Sequence, residues 1–343
     1  MKGVLLVNLG SPDSPTPKDV KPYLDEFLMD ERVIDAPKWL RNILVRGIIL
    51  QTRPKRSAKA YQKIWWDEGS PLIIISERFL KKIREKVQLP VALGMRYGSG
   101  SIEEGMKELK DQGVDEVLLV PLYPHYAMSS YETVVVKALE VQAEKFPEMQ
   151  VTTMPAFYKN PDYIRVLSES IREHLEGFEY DHVLFSYHGI PERHIRKSDP
   201  THFHCKIDGK CCKVNSVAHH TCYRHQCYDT TDLVRDALGL TEENSSTSFQ
   251  SRLAGDPWLK PYTDYEFERL AKEGKTRLAV ITPAFVSDCL ETLEEIAMEG
   301  KEEFMEAGGK EYIHIPCLND RDDWVALMAE WIEDWEKEGA LPV

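Results

Sequence analysis

Short apolar runs that end in or near glycine or proline recur along this chain. They are VLLVNLG (4–10), VALGMRYG (91–98), EVLLVPLYPHY (116–126), VTTMPAFY (151–158), HVLFSYHG (182–189), STSFQSR (246–252), RLAVITPAF (277–285) and YIHIPCLND (312–320). Continuous apolar character marks strands buried on both faces. Between the runs lie stretches with helical spacing, such as SIEEGMKELKDQG and DCLETLEEIAMEGKEEFMEAGG. Strands alternating with helices predict parallel sheets covered on both sides, a doubly wound α/β fold. Eight runs divide into two sets of four, and 343 residues suit two domains better than one. The expected domains are 1–160 and 161–315. The remaining segment, 316–343, carries DDWVALMAEWIEDWEK, an amphipathic helix expected to pack back on the body.

Charge and local motifs narrow the function. The net charge is −14, so the basic field of a nucleic-acid binder is missing. The first strand turn reads NLGSPDSP, which is neither GxGxxG nor GxxxxGK[ST], and Pro12 would disrupt a phosphate-cradling loop. A nucleotide site is therefore not expected. MKGVLLVNLGSPDSP has one lysine and an apolar run too short for a signal peptide. No run of about 18 apolar residues is present to span a membrane. The expected compartment is the cytoplasm, with contact at the inner membrane surface left open.

In open α/β sheets, ligands sit beyond the carboxyl ends of the strands. His188 follows HVLFSY there and precedes a Gly-Ile-Pro turn. Just past AVITPAF, Asp288, Glu291, Glu295 and Glu299 recur at three- to four-residue spacing, an acidic stripe on one helix face. Each has an ordinary reading, a loop-bonded histidine and a solvated helix face. The opposite helix face, however, is apolar, with Leu290, Leu293 and Ile296. Carboxylates pass a divalent cation along without trapping it, and a near-neutral imidazole accepts protons. Together they suit an exchange of protons for a metal ion.

Several stretches resemble the ferrochelatase family, in order from about residue 3 to 330. They are VNLGSPDSP, PKRSAKAYQKIWWDEGSPL, PLYPHYAMSSYETV, SYHGIPERH, FQSRLAGDPWLKPYTD and PAFVSDCLETLEEI. The resemblance implies two similar Rossmann-like domains, each with a four-stranded parallel sheet, and a porphyrin cleft between them. It implies insertion of Fe²⁺ into protoporphyrin IX to form protohaem. His188 would be the proton acceptor or metal ligand, and Glu291 would face it across the macrocycle. Asp288 and Glu295 would continue an acidic track behind Glu291. Trp258 and Phe285 would lie near the ring and Leu9 on its other face. Arg53, Tyr61 and Ser70 would lie near the propionates and the mouth, with Arg96 and Tyr97 on the cleft wall. A chelatase of the same fold for coproporphyrin III or a cobalt-receiving precursor is the alternative, and a haem or iron carrier is a weaker one.

Two further segments stand out. PKWLRNILVRGIILQTRPKR (37–56) mixes bulky apolar residues with arginine and lysine. It reads either as an amphipathic helix over a core or, by the resemblance, as an active-site lip touching porphyrin or lipid. The other is a cysteine-rich insertion at about 198–227. Five of the seven cysteines fall in it: Cys205, Cys211, Cys212, Cys222 and Cys227, with histidines interleaved. In a reducing cytoplasm such a group reads as a metal site. Some relatives hold a 2Fe–2S cluster through C-terminal cysteines and one in an internal loop. Here that loop reads YPHYAMSS, with Met128 in place of cysteine, and no cysteine follows Cys317. Four of the five insertion cysteines are expected to hold the cluster, with zinc as the rival.

Overall fold

The computed structural model describes residues 1–252 and 255–342. Leu253 and Ala254 of the SRLAGDPW stretch, and Val343 at the end of the 316–343 segment, lie outside the described residues. The chain divides into two compact units. The first comprises 1–123, 128–155 and 319–342, and the second comprises 124–127 and 156–318. The final helix thus belongs to the first unit.

All eight apolar runs form strands. In the first unit these are β1 (Lys2–Asn8), β2 (Val91–Met95), β3 (Glu116–Pro121) and β4 (Gln150–Thr153), in the spatial order β2-β1-β3-β4. In the second they are β5 (His182–His188), β6 (Ser245–Gln250), β7 (Arg277–Ile281) and β8 (Glu311–Ile315), in the order β6-β5-β7-β8. Every pairing is parallel. The two sheets therefore share one topology, and in each the chain reverses its direction of travel at the first strand.

Helices cover the sheets because their apolar stripes need burial. Leu5 and Val7 pack with Ile102, Met106 and Leu109. Gly105 makes this close approach possible, since a Cβ there would sit 2.6 Å from Leu5 Cδ1 and 3.0 Å from the Leu93 carbonyl oxygen. The helix Ile102–Asp111 starts at a capping box between Ser101 and Glu104. In the second unit Leu184, Leu278 and Val280 pack against Phe267, Ile296 and Phe304. The final helix, Asp322–Glu338, stacks Trp324 on Phe79 at 5.9 Å. Lys82 Nζ donates to Asp322 Oδ1 at 2.9 Å beside it.

Three helical segments depart from the α register expected of them. Ile43–Ile49, Met128–Glu132 and Glu291–Gly300 are π-helical. Such segments are rare and gather at functional sites. No described helix is long and apolar enough to cross a membrane.

Candidate active site

The reversal in the second sheet leaves a switch point beside β5 and β7, where α/β sheets bind ligands. His188 is the last residue of β5, paired in register with Gln250 at the end of β6. Its imidazole Nδ1–H donates to the Gly189 carbonyl at 2.6 Å, which directs the lone pair to Nε2. Gly189 is required there, because a Cβ would lie 2.6 Å from the Gln250 carbonyl oxygen. Phe285, four residues past β7, meets the His188 ring edge-to-face at 6.2 Å. Trp258 is buried and bridges backbone to Pro191.

Glu291 opens the π-helix that follows β7 and interacts electrostatically with His188. Burial lowers the His188 pKa, while the Glu291 charge and the Gly189 carbonyl act to raise it. The net direction is downward, so the imidazole is neutral at pH 7 and able to accept a proton. One turn further, Glu295 Oε2 accepts from Ser251 Oγ at 2.5 Å. Burial, with the charges of Glu291 and Glu299 adding to it, pushes the Glu295 carboxyl up to about 7. Ser251 stands at φ 66, a left-handed conformation uncommon for serine. Asp288 is buried, its Oδ1 accepting from Thr292 Oγ1 at 2.7 Å and from the Cys317 N–H at 3.4 Å. The stripe therefore runs from a buried root at Asp288 outward through Glu291 and Glu295.

One residue in this arrangement carried no sequence signal. Gln250 is 3% exposed and joins both sides of the site. Its Oε1 accepts from Ser186 Oγ at 2.8 Å, and its Nε2 donates to the Glu291 carbonyl at 2.9 Å. It fixes the backbone of Glu291 against the strand that ends in His188.

The remaining expected residues belong to the first unit. Leu9 lies just past β1 and packs on that sheet's core. Arg53 is exposed, with Nε 3.4 Å from Ser57 Oγ. Tyr61 is buried edge-on against Tyr23 and Trp65, and Ser70 is the N-cap residue of helix Pro71–Lys86. Arg96 and Tyr97 are tied into the interior of the unit. Tyr97 is fully buried, its hydroxyl donating to Asp30 Oδ2 at 2.8 Å. Arg96 Nη2 lies 2.5 Å from the same oxygen, and its Nε donates to Thr133 Oγ1 at 2.7 Å. Burial acts to raise the Asp30 carboxyl, yet these donors and the Arg96 charge hold it below its usual value. Tyr97 is support beneath a surface, because its polar atom is committed inside the unit.

Residues 37–56 bury Val45 and Leu50 but leave much of their apolar surface exposed. Trp39, Leu40, Ile43 and Ile48 are exposed, at 67%, 41%, 56% and 61%, and Leu44 is at 36%. Arg41 instead points inward, donating to the carbonyls of Ile34 and Ala36.

In the insertion, Cys205, Cys211, Cys212 and Cys222 line one small cavity together with His204 and His219. Cys212 hydrogen-bonds Cys222, which pulls the Cys222 thiol down to about 7 and pushes the Cys212 thiol up. Burial, with the nearby Cys222 and Cys211 adding to it, pushes the Cys205 thiol up to about 11. Cys227 stands apart, fully buried against Tyr223. Among the described residues no three His, Cys, Asp or Glu side chains stand in assembled metal-site geometry. The segment is held by its neighbours. Asp199 accepts from the N–H groups of Thr201 and Cys205, both at 2.9 Å. Arg224 holds the carbonyl of Ile207, a β-branched residue at φ 59.

The family profile described as Ferrochelatase matches residues 1–335. A ferrochelatase of Opitutus terrae is 50% identical over 337 residues, covering 97% of each chain. One of Pseudomonas fluorescens is 47% identical, covering 96% of this chain and 97% of its own. Among solved structures, SirB from Bacillus subtilis with Fe³⁺ superposes with a TM-score of 0.57 at 10% identity, covering 98% and 96% of the two chains. The sirohydrochlorin chelatase SirB of subspecies spizizenii, in complex with cobalt, gives 0.53 at 9% identity, covering 99% and 98%. At that identity these two share the fold alone. A match of this length to the profile, together with relatives this similar along their whole length, makes the chain a member of the ferrochelatase family.

Proposed function

We propose that this protein inserts Fe²⁺ into protoporphyrin IX to form protohaem. The observation that carries the reading is a neutral, Nε2-directed His188 interacting with Glu291 at the head of a carboxylate track. Metallation replaces two pyrrole N–H protons with one Fe²⁺, so two protons must leave. His188 Nε2 takes up one. A carboxyl with a pKa of about 7, as Glu295 has, takes up and releases the other near neutral pH. Glu291 and Glu295 replace water around the incoming cation. Phe285 and Trp258 supply an apolar wall against which a macrocycle can bend. Anaerobic assay of the purified protein with Fe²⁺ and protoporphyrin IX tests this, with coproporphyrin III as comparison. Faster turnover of coproporphyrin III, or turnover of neither beside an active control, would overturn it.

The insertion fits a 2Fe–2S cluster held by Cys205, Cys211, Cys212 and Cys222. Four cysteines lining one cavity supply the number of thiolates that such a cluster needs. The histidines favour zinc less, because His204 and His219 turn Nε2 to the Cys211 carbonyl. A bound cluster would supply order to a segment with little core of its own. Red colour that bleaches on reduction, lost in Cys222→Ser and kept in Cys227→Ser, is the expected result. Stoichiometric zinc in a colourless protein would replace the cluster.

Residues 37–56 act as an apolar lip. Their exposed Trp39, Ile43 and Ile48 stand among basic residues, a pattern suited to a membrane surface as well as a porphyrin. A cytoplasmic enzyme exchanging greasy substrates at the membrane fits this surface. Sedimentation with anionic vesicles checks it.

A further inference from the structure

The first turn of the helix Tyr223–Leu238 links the cysteine-lined cavity to the end of β5. Cys222 is the N-cap residue of this helix and also lines the cavity. Tyr223 follows it, 4% exposed, and its hydroxyl donates to the His188 carbonyl at 2.9 Å. Its ring lies edge-on to the buried His125 at 6.0 Å. The next three residues hold the insertion itself. Arg224 donates to the Ile207 carbonyl, and the His225 ring pairs with the Cys212 carbonyl at 2.8 Å. Gln226 Nε2 donates to the carbonyls of His219 and His220. His188 is therefore tethered at its ring by the Gly189 carbonyl and at its own carbonyl by Tyr223. The Gly189 N–H of the same peptide donates to the Gln250 carbonyl at 2.8 Å, and the Tyr223 hydroxyl holds the peptide from its carbonyl side.

We propose that Tyr223 is a positioning residue for metal insertion: its hydroxyl fixes the His188 peptide, keeps Nε2 aimed at the substrate and couples the imidazole to the order of the cysteine-lined segment. The inference rests on the proposed function and adds to it a physical route from the insertion to the reacting group. A hydrogen bond from a rigid helix turn suits this role, since it carries direction at little cost in mobility.

The test is Tyr223→Phe, which keeps the ring and removes only the donor. Turnover of Zn²⁺ or Fe²⁺ with protoporphyrin IX should fall in kcat by about 10-fold, or about 1.4 kcal/mol. KM for porphyrin should stay within about twofold, because the wall residues are untouched. The readout independent of activity is the ¹⁵N spectrum of histidine-labelled protein, with His188 assigned through His188→Gln. The unmodified protein should show His188 as the Nδ1–H tautomer, and Tyr223→Phe should mix in the Nε2–H form. An unchanged tautomer in Tyr223→Phe overturns the proposal whatever the turnover. A joint loss of kcat, KM and melting temperature also overturns it, as the mark of a merely structural tyrosine. Cys222→Ser combined with Tyr223→Phe should lose no more kcat than the worse single variant, and additive losses overturn the coupling to the cysteine segment. Failure of the unmodified protein to metallate any porphyrin would sink the proposed function, while the ¹⁵N signature would still decide the positioning of His188.

Discussion

The two sheets have the same strand order and the same parallel pairing, yet the charges gathered beside them behave in opposite ways. In the first unit Asp30 meets Arg96, Tyr97 and Thr133, and every polar group finds a partner inside the group. In the second, the charges of Glu291 and Glu299 add to burial in raising the Glu295 carboxyl, to which Ser251 Oγ donates. The first cluster pairs its carboxylate with a cation, whereas in the second neighbouring carboxylates act on one another. Equivalent scaffolds thus carry different duties, and the duty is read from charge balance rather than from topology. Perturbed groups at a strand end mark a reactive site when their charges are left uncompensated.

Four variants break or sharpen this contrast. The largest effect is expected at His188. His188→Ala should cut turnover by about 10²- to 10⁴-fold with little change in melting temperature, since it removes a proton acceptor and no core contact. Retained turnover would refute the role. Asp30→Ala should do the reverse. It leaves Arg96 without its buried partner and should cost about 3–5 kcal/mol of stability, read by denaturant unfolding. The fraction that remains folded should keep its turnover, and a selective loss of kcat would erase the distinction between the clusters.

Glu295→Gln gives a smaller, pH-dependent effect. The folded-state pKa is raised from 4.5 to about 7, so the folded chain binds more protons across that interval. The stability this group lends is full below about 4.5 and is lost as the pH rises through about 7. The glutamine variant should therefore match the parent near pH 5 and exceed it by about 1–3 kcal/mol near pH 8. Equal melting temperatures at both pH values would show that the track is solvated. The smallest change in stability is expected at the lip. Replacing Leu40, Ile43 and Leu44 together by Ser should move the melting temperature by only about 1–2 °C, because all three are largely exposed. The same variant should raise KM for porphyrin several-fold, and an unchanged KM would remove the lip from the substrate path.

The sequence by itself determined the strands, the helices between them and the positions of His188 and the acidic stripe. Those features are written locally, in apolar runs, helical spacing and the residues just past each strand. Other features were decided only by the tertiary structure. Gln250 reaches the Glu291 backbone 41 residues away, and Tyr223 reaches the His188 carbonyl across 35. The Tyr97 hydroxyl reaches Asp30 across 67 residues. Arg41 turned inward while its apolar neighbours turned out, because the carbonyls of Ile34 and Ala36 waited there for a donor. Five cysteines had equal claims in sequence, and the fold brought four to one cavity and sealed Cys227 behind Tyr223. The physical reason is common to all of these: a buried polar group must find its partner wherever the chain returns, and the distance along the chain to that partner leaves no local pattern to read.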